Sequence, residues 1–391
     1  MSWPLVAIKD VAKVVTGKTP SKKNPEFFGG SIPFVTPAEI GVNTVVSDAP
    51  QTLTERGADK VKLVPEGAVL VCCIGSLGKT SIAGRELATN QQINSVVFDP
   101  RKVDSRYGYY ACKRLKPKLE LMAPATTVSI VNKSNFESLE IPLPPLAEQQ
   151  RIAAILDKTD TLRRKRQQAI DLADQFLRSV FLEMFGDPVI NPKEWETRKL
   201  GDLILSGPSN GLYKPAKDYG EGTRILRIDG FYNGALEAQS KLKRVRLSEK
   251  EVEKYELEEN SIVINRVNSR EYLGKCALIE GVEERTVFES NMMNFTVDQS
   301  LAQPGFIVDQ LCTPYVKGQI LKSCKDAVNQ SSINQQDVKS LELRIPPLEL
   351  QKKYLGLVGK TRGSIKSMQS LLDESTNLSA SLSQQAFSGE L

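Results

Sequence analysis

The most informative absence from this sequence is histidine, which occurs nowhere among the 391 residues. Without an imidazole the chain cannot build a Ser-His or Cys-His catalytic pair, or a histidine-ligated metal site. The six cysteines are scattered and form no Cys-x-x-Cys pair, which favours reduced, mostly buried thiols over a metal site or a disulfide framework. Most routes to hydrolytic catalysis by this chain alone are therefore excluded.

Long apolar runs are missing as well. No stretch approaches the roughly 18 consecutive apolar residues of a membrane span. The opening "MSWPLVAIKD" lacks the basic and apolar regions of a secretory signal, so we expect a cytoplasmic protein. The segment "GSLGKT" ends like a phosphate-binding loop, but Cys73 stands where such a loop needs its first glycine. Nucleotide binding is therefore not indicated.

The net charge of +5 is unevenly distributed. Residues 1–145 hold 18 Lys and Arg against 13 Asp and Glu, whereas residues 188–345 hold 22 against 23. The excess permits a polyanionic partner if basic side chains converge on one face. Solubility alone would also account for it.

The chain contains an internal repeat with an offset of about 200 residues. Trp3 and Trp195 open the two copies. Further along, "SLGKTSIAG" aligns with "YLGKCALIEG", "TNQQINSVVF" with "ESNMMNFTV", and "IPLPPLAEQQ" with "RIPPLELQ". The offset drifts by only about ten residues, which indicates loop insertions on a shared scaffold. We predict a tandem duplication of a two-part unit, with segments 1–145, 146–187, 188–345 and 346–391.

The first part of each copy is predicted to be a mixed α/β (α+β) globular domain. Segments such as "GAVLVCCIG" and "NSIVINRV" are rich in Val and Ile and are bounded by Gly or Asn, which is typical of buried strands. Helical segments such as "RYGYYACKRLKPKLELM" lie between them.

The second part of each copy is predicted to be one long helix. Two prolines begin each helix, and Gly186 with Pro188 ends the first. Apolar residues recur at helical spacing at Ile152, Ile155, Leu162, Ala169, Ala173, Phe176 and Val180, and again at Leu355, Val358, Ile365, Leu372, Leu378 and Leu382. About 39 residues give a rod of roughly 58 Å, too long to be buried in one such domain. We expect a pseudo-twofold arrangement in which the two helices form an antiparallel coiled coil.

Several of these blocks resemble one protein family. The segments "IPLPPLAEQQRIAAILDKTDTL" and "RIPPLELQKKYLGLV", the openings "TGKTPS" and "SGPSNGLY", and the duplicated plan resemble the specificity subunit of type I restriction-modification systems. The resemblance covers essentially the whole chain. It implies a non-catalytic DNA-binding subunit whose two target recognition domains, 1–145 and 188–345, each read one half of a bipartite sequence. The helices 146–187 and 346–391 would set the spacer and dock two methyltransferase subunits.

The resemblance also indicates where cofactors would bind. It implies none on this chain: S-adenosylmethionine would bind the methyltransferase subunits, and ATP and Mg²⁺ would bind restriction subunits if these join the complex. Double-stranded DNA and these subunits are the expected partners, and no membrane is expected.

Candidate DNA contacts in the first copy come from two loops and one turn. A basic loop supplies Lys18, Thr19, Ser21, Lys22 and Lys23, suited to phosphates and base edges. Lys79 follows a tight turn, and Gln91, Gln92 and Asn94 carry amides that can bind adenine at two points. A solvated loop and buried, turn-capping amides are the alternatives.

In the second copy the matching candidates are Tyr213, Lys214, Lys217, Arg266, Asn268, Ser269, Arg270 and Lys275. Arginine is the usual bidentate partner of guanine. The alternative for these residues is pairing with Glu271 or other nearby acids.

Partner contacts are expected along the helices. Leu156, Leu177 and Phe181 would form exposed apolar rims beside the seam and would meet the methyltransferase. The main alternative function is a coiled-coil adaptor whose globular parts bind proteins, which the near-neutral second part favours. An enzyme acting alone is a third possibility.

Overall fold

The computed structural model describes residues 3–123, 129–237, 239–327 and 330–391. The chain forms two compact units, the first comprising Met1–Ala169 with Met368–Leu391 and the second Ile170–Ser367. Each unit combines one globular part with portions of both long helices. These contacts divide the chain within the long helices, after Ala169 and after Ser367, and do not test the four predicted segment boundaries. The division into four segments remains a prediction. Within the described ranges, no helix is both long and apolar enough to cross a membrane.

The first unit is built on two sheets. The larger has the strand order Ala12–Thr16, Ile93–Phe98, Val69–Cys72, Thr80–Ala83, Val45–Val46. The smaller has the order Thr52–Leu53, Phe28–Val35, Leu87–Thr89, Leu63–Val64. A separate ladder pairs Leu5–Ala7 with Glu140–Pro142. Shorter helices lie at Ile8–Val11, Pro25–Phe27, Glu55–Ala58, Ser105–Lys113, Lys116–Met122 and Lys133–Glu137.

The central strand Val69–Cys72 shows why this part folds as two layers. Val69 and Val71 lie in the core beneath the helix Ser105–Lys113, whereas Leu70 and Cys72 lie in the core on the opposite face of the sheet. Side chains of a strand alternate between faces, so a strand covered on both faces is a continuous apolar run. The continuous apolar run Val69–Cys72 therefore packs against a core on each face of the sheet.

The second unit repeats this plan. Its main sheet has the order Ile204–Asn210, Met292–Val297, Ile262–Asn265, Cys276–Leu278, and a second sheet has the order Lys243–Val245, Tyr219–Leu226, Thr286–Phe288. Small ladders pair Glu196–Lys199 with Glu342–Ile345, Phe231–Tyr232 with Ala235–Leu236, and Val267–Asn268 and Lys325–Asp326 with Ser331–Ser332. Shorter helices lie at Leu200–Asp202, Ala216–Asp218, Gln239–Lys241, Glu249–Tyr255, Pro304–Leu311, Pro314–Ser323 and Gln335–Lys339.

The duplication extends to an irregularity of strand pairing. In the first unit Phe28 and Ile32 both pair with Leu53, across a bulge. In the second unit Tyr219 and Thr223 both pair with Val245 in the same manner. A bulge is a local feature that shared ancestry or shared packing reproduces, and its presence in both units supports the predicted tandem repeat of mixed α/β domains.

Two long helices, Leu146–Phe185 and Leu348–Ser388, contain 40 and 41 residues. We call them the first and second long helix. In the first unit the Arg151 guanidinium donates to a backbone oxygen of Leu391 (2.9 Å), and the Arg166 guanidinium donates to the carbonyl of Leu371 (2.9 Å). Leu391 lies three residues beyond the second long helix, and Ile152 and Leu156 share a core cluster with Ala386 and Phe387 near its end. Rising numbers on the first helix thus meet falling numbers on the second, so the predicted antiparallel course is confirmed there.

Each long helix is fixed to the globular part before it by a buried glutamine. Gln149 is fully buried; its Nε2 donates to the carbonyls of Pro144 (2.8 Å) and Lys102 (2.9 Å), and its Oε1 accepts from the Asp104 N–H (2.9 Å). A second buried glutamine repeats this role: Gln351 donates to the carbonyl of Pro346 (2.8 Å) and accepts from the N–H of Gln303 (2.9 Å). A buried amide in such a position stabilises the docking only while all its partners are present.

An ion pair adds to this docking, with opposite polarity in the two units. In the first unit Lys113, on a short helix, pairs with Asp160 on the first long helix at 3.2 Å. In the second unit the acid, Asp309, is on the short helix and pairs with Arg362 on the second long helix. The acidic partner is thus on the long helix in the first unit and on the short helix in the second.

The predicted apolar rims of the long helices are wrong. Leu156 and Phe181 are only 2% and 7% exposed, and half-buried Leu177 packs against the second unit's core. Phe181 stacks on Phe306 with ring centroids 6.3 Å apart. These faces meet the globular parts because each helix docks on a domain as well as on the other helix. The large apolar side chains that are exposed on the two long helices are Leu162, Leu172, Phe176, Leu182, Leu357, Leu371 and Leu378.

Candidate nucleic-acid interface

In the first unit, four chain segments converge at one end of the main sheet, formed by residues 17–23, 36–44, 73–79 and 89–92. We call this surface the first loop end. Backbone hydrogen bonds assemble it: Gly17 N–H to Ile93 O (3.1 Å), Lys18 N–H to Thr89 O (2.9 Å) and Cys73 N–H to Gln92 O (2.8 Å). The Lys79 ammonium adds a bond to the carbonyl of Pro37 (3.4 Å).

The second unit builds the same surface from residues 211–218, 227–237, 266–275 and 289–291, which we call the second loop end. Gly211 N–H donates to Met292 O (3.2 Å), Leu212 N–H to Phe288 O (3.0 Å) and Arg266 N–H to Asn291 O (2.8 Å). The Lys275 ammonium donates to the carbonyl of Ile228 (2.5 Å). Each of these four bonds matches one in the first unit.

Glycine makes the close approach of the first two segments possible. A Cβ on Gly17 would lie 2.2 Å from the carbonyl oxygen of Asn90, and one on Gly211 would lie 2.3 Å from that of Glu289. No Cβ tolerates such a distance from backbone, so both positions require glycine. The glycines in the openings "TGKTPS" and "SNGLY" thus have a structural reason.

The lysines of the first loop end are available to an anion. Lys18, Lys22, Lys23 and Lys79 are exposed. Within the part of the chain that the structure describes, no carboxylate lies within 4.0 Å of their ammonium groups. Ser21 is exposed too, and half-buried Thr19 donates through Oγ1 to Oε1 of the exposed Gln91 at 2.7 Å. The structure thus brings most of the predicted residues together on one surface.

The amides of this loop end differ in accessibility. Gln92 is half-buried, and its Oε1 accepts from Nδ2 of Asn90 at 3.0 Å. Asn94 is 3% exposed, and its Oδ1 accepts from Oγ1 of Thr16 at 2.7 Å. A side chain so enclosed presents no amide to a base edge, so the prediction for Asn94 is corrected to a buried structural role. The residue lies within the sheet, where its neighbours already satisfy it.

The cysteines beside this loop end are buried. Burial raises the pKa of Cys72 to about 12 and that of Cys73 to about 11, so both thiols are protonated at neutral pH. Across the described ranges, no cluster of three or more Cys, Asp and Glu side chains could hold a metal ion.

In the second loop end most of the predicted cations already have partners. Lys214 pairs with Glu251 at 2.8 Å, and Arg270 pairs with Asp326. The Arg266 guanidinium donates to the carbonyl of Ser290 at 3.0 Å. The alternative of pairing with nearby acids therefore applies to Lys214 and Arg270, although neither acid is Glu271.

The remaining candidates of the second loop end, which have no carboxylate partner among the described residues, differ in exposure. Tyr213 is 78% exposed, and Lys217 and Ser269 are exposed too. Asn268 is half-buried, and its Oδ1 accepts from the Ser269 N–H at 2.8 Å. This end thus presents one lysine, Lys217, beside aromatic and neutral polar groups, where the first end presents four lysines.

A buried carboxylate in the second loop end was missed by sequence reasoning. Glu289 is 7% exposed; it accepts from the N–H of Ile228 at 2.7 Å and from the Arg227 guanidinium at 3.2 Å. It follows a strand at the point where the first copy has Asn90, whose side chain caps the N–H of Gln92 at 3.0 Å. The alignment of "TNQQIN" with "ESNMMN" hid this match, because it sets Glu289 opposite Thr89. The backbone hydrogen bonds from Ile93 N–H to Asn90 O and from Met292 N–H to Glu289 O instead set Glu289 opposite Asn90.

Comparison with known proteins agrees with the repeated plan. The family described as the type I restriction modification DNA specificity domain matches residues 2–172 and 192–356, one match for each copy. The specificity subunit of the type I restriction enzyme MjaIX from Methanocaldococcus jannaschii is 25% identical over 386 residues, which cover 91% of this chain and 86% of that protein. The EcoKI specificity subunit of Escherichia coli is 24% identical over 290 residues, which cover 70% and 62%.

Solved structures share the fold. A type I restriction-modification S subunit from M. genitalium aligns with a TM-score of 0.65 and 16% identity, over 99% of this chain and 96% of that one. A chain from a structural study of the assembly of a type I restriction-modification complex aligns with a TM-score of 0.51 and 15% identity, over 100% and 98%. With both copies matched by the family, this chain belongs to the type I restriction-modification DNA specificity family.

Proposed function

We propose that this chain is the DNA sequence-specificity subunit of a type I restriction-modification complex, and that its two loop ends each read one half of a bipartite sequence. The observation that carries the proposal is the construction of the same four-segment surface twice, on matching backbone hydrogen bonds, with different side chains. A shared scaffold with different side chains suits two readers of different half-sites.

The first loop end would bind mainly through charge. Lys18, Lys22, Lys23 and Lys79 would contact phosphates, which gives affinity and salt dependence but little sequence information. Thr19, Ser21, Gln91 and Gln92 would supply hydrogen bonds to base edges. The bond between Thr19 and Gln91 orients the Gln91 amide before DNA arrives, because Gln91 Oε1 accepts from the Thr19 hydroxyl.

The second loop end would bind with fewer free charges. Among the residues that the structure describes, no carboxylate forms an ion pair with the exposed Lys217. Tyr213 and Ser269 are exposed as well, and Asn268 is half-buried. Arg266 could address a guanine only through the guanidinium nitrogens that do not hold Ser290. Lys214 and Arg270 would first have to leave their carboxylate partners.

The chain would act without catalysis of its own. Two methyltransferase subunits would dock on it and bring S-adenosylmethionine, and restriction subunits, where present, would bring ATP and Mg²⁺. Two separate surfaces replace the buried rims as proposed docking sites. Leu172 and Phe176, four residues apart on the first long helix, would form one in the second unit, and Leu371 and Leu378, seven apart on the second long helix, would form one in the first unit. The long helices would set the unread spacer.

The decisive experiment is to express the chain with the methyltransferase encoded beside it, in a host free of other modification, and to map methylated adenines across the genome. The proposal expects a split motif with two short specific halves and a fixed gap. An assembled complex that leaves the genome unmethylated would contradict it.

A protein-binding adaptor is the second candidate, because acids neutralise Lys214 and Arg270 of the second loop end. An adaptor would show DNA binding that is absent or insensitive to salt, whereas a reader with free lysines loses affinity steeply as salt rises. Titration of the assembled complex with DNA at several salt concentrations separates the two.

A further inference from the structure

The Lys275 ammonium sits among three aromatic rings. Its Nζ lies 3.7 Å from the ring centroid of Tyr232, 4.8 Å from that of Phe231 and 5.7 Å from that of Tyr272. It also donates to the carbonyl of Ile228. Burial lowers the pKa of Lys275, while Asp229 and Glu237 oppose the change. The cation is thus engaged by rings and a carbonyl.

The rings come from two different segments of the second loop end. Phe231 and Tyr232 belong to the segment 227–237, and Tyr272 belongs to the segment 266–275. Phe231 is fully buried, whereas Tyr232 and Tyr272 are each 42% exposed. A cation attracted to all three rings holds the two exposed tyrosines beside each other.

The first unit has the lysine but lacks the rings. Lys79 makes the matching bond to the carbonyl of Pro37, yet Ser76 stands where the aligned segment "YLGK" has Tyr272. Gly41 occupies the place of Tyr232: a Cβ on it would lie 3.7 Å from the Lys79 side chain. The same bridging lysine is therefore exposed in one copy and enclosed by aromatics in the other.

We propose that Lys275 is a positioning residue, which holds Tyr232 and Tyr272 as a base-contacting aromatic pair and does not itself contact phosphate. This inference rests on the proposed function and replaces direct DNA contact by Lys275. Tyrosine offers bases a flat apolar face and a hydroxyl, and apolar contact with the thymine methyl is one means of direct readout. The second loop end thus gains sequence discrimination although it has fewer unpaired charges than the first.

The test compares DNA binding by the assembled methyltransferase complex carrying Lys275→Met, Lys275→Arg, Lys79→Met or Tyr272→Ser. Each variant is titrated with the cognate duplex, with duplexes altered in either half-site, and with random DNA, at several salt concentrations. Lys275→Met removes the charge at similar length, and Lys275→Arg keeps a cation over the rings. Tyr272→Ser copies the first unit at an exposed position and leaves the lysine in place.

Lys275→Met and Tyr272→Ser should each reduce discrimination at the second half-site by about tenfold, the scale of one mismatched base pair, with the salt dependence unchanged. Lys275→Arg should retain most of it. Lys79→Met should weaken cognate and random DNA alike and lower the salt slope by about 1.

The inference is overturned if Lys275→Met lowers the salt slope as Lys79→Met does, or if Tyr272→Ser leaves discrimination intact. The first result would make Lys275 a phosphate contact, and the second would remove the rings from readout. If the wild-type complex did not distinguish cognate from random DNA, the proposed function itself would be contradicted. The wild-type measurement therefore separates a failure of the proposed function from a failure of the inference about Lys275.

Discussion

The indole Nε1 of Trp3 donates a 2.8 Å hydrogen bond to the carbonyl oxygen of Ala386, in the last turn of the second long helix. The last carbonyls of a helix have no partner within it, and the indole satisfies one of them. In the second unit Trp195 does the same for Phe185, at the end of the first long helix, at 2.9 Å. The two tryptophans that open the sequence repeats are thus helix-end caps.

Replacing Trp3 by Phe should loosen that helix end specifically. The change keeps an aromatic ring but removes the N–H donor, at a net cost of about 1 kcal/mol. Hydrogen exchange measured by mass spectrometry should become faster in the last turn of the second long helix. The matched variant Trp195→Phe should instead accelerate exchange near Phe185, and equal effects of both variants at both ends would refute the assignment.

Replacing Gln149 by Ala should destabilise the first unit. The change leaves the Asp104 N–H and the Lys102 and Pro144 carbonyls without their partner, and we expect a loss of about 2–4 kcal/mol in the free energy of unfolding. Gln150 is exposed and adjacent, so Gln150→Ala is the control, with an effect within about 0.5 kcal/mol. Denaturant unfolding of the two variants measures the difference, and similar curves would contradict the docking role.

Removing the Lys22 side chain should weaken DNA binding without changing its sequence preference. Lys22 is exposed and belongs to the basic loop of the first loop end. Loss of one phosphate contact should lower the slope of log affinity against log salt by about 1, equally for cognate and random duplexes. A change confined to cognate DNA would assign Lys22 to base readout instead.

Replacing Arg266 by Ala should act in the opposite manner. We expect a loss of about 1–3 kcal/mol for the cognate duplex and relaxed preference at one base pair of one half-site. Random duplexes should be affected little. If the preference at every position survives, the bond to the carbonyl of Ser290 is the whole role of this side chain.

Replacing Glu251 by Gln should free Lys214 for DNA. Hydrogen bonds from Lys214 and Ser248 lower the pKa of Glu251 to about 2, so the carboxylate is charged at neutral pH and holds the lysine. The variant should steepen the salt dependence of DNA binding and raise affinity for random duplexes. An unchanged slope would mean that Lys214 points away from DNA.

The same pKa fixes the pH range of this contact. A lowered carboxyl pKa means that the folded state favours the charged form, so the contribution is fully present above the ordinary pKa of 4.5 and is lost as pH falls through about 2. A carboxyl NMR titration should show the Glu251 resonance shifting near pH 2, and a midpoint near 4.5 would show that the pair is open in solution.

The buried strands and the duplication could be predicted from the sequence, because both appear there as a regular pattern of residues. The apolar run around Val69–Cys72 indicated a buried strand, and the repeat offset indicated duplication. Sequence reasoning failed where a partner had to be known. The helical stripe could not tell whether Leu156 and Phe181 would face solvent, the other helix or a domain, and both are buried.

The loop ends show the same limit. The sequence does not distinguish an exposed lysine such as Lys22, which has no carboxylate partner among the described residues, from an engaged one such as Lys275. The groups that engage Lys275 include the carbonyl of Ile228, which lies far away in sequence. For the docking of the long helices, the sequence did contain one usable signal, in Gln149 and Gln351. Each follows a proline by five residues, and in both copies the glutamine side chain donates to the carbonyl of that proline. The repeated spacing thus indicated a structural role for both glutamines.

The reversed polarity of the ion pairs on the long helices limits how such genes can recombine. An exchange that joined the second globular part to the start of the first long helix would place Asp309 opposite Asp160, two carboxylates where one salt bridge stood. The reciprocal product would bring Lys113 towards Arg362. A crossover that lies after Asp160 or Arg362 leaves each globular part with its own ion-pair partner. Recombination that creates new pairs of half-sites should therefore join the genes within the long helices.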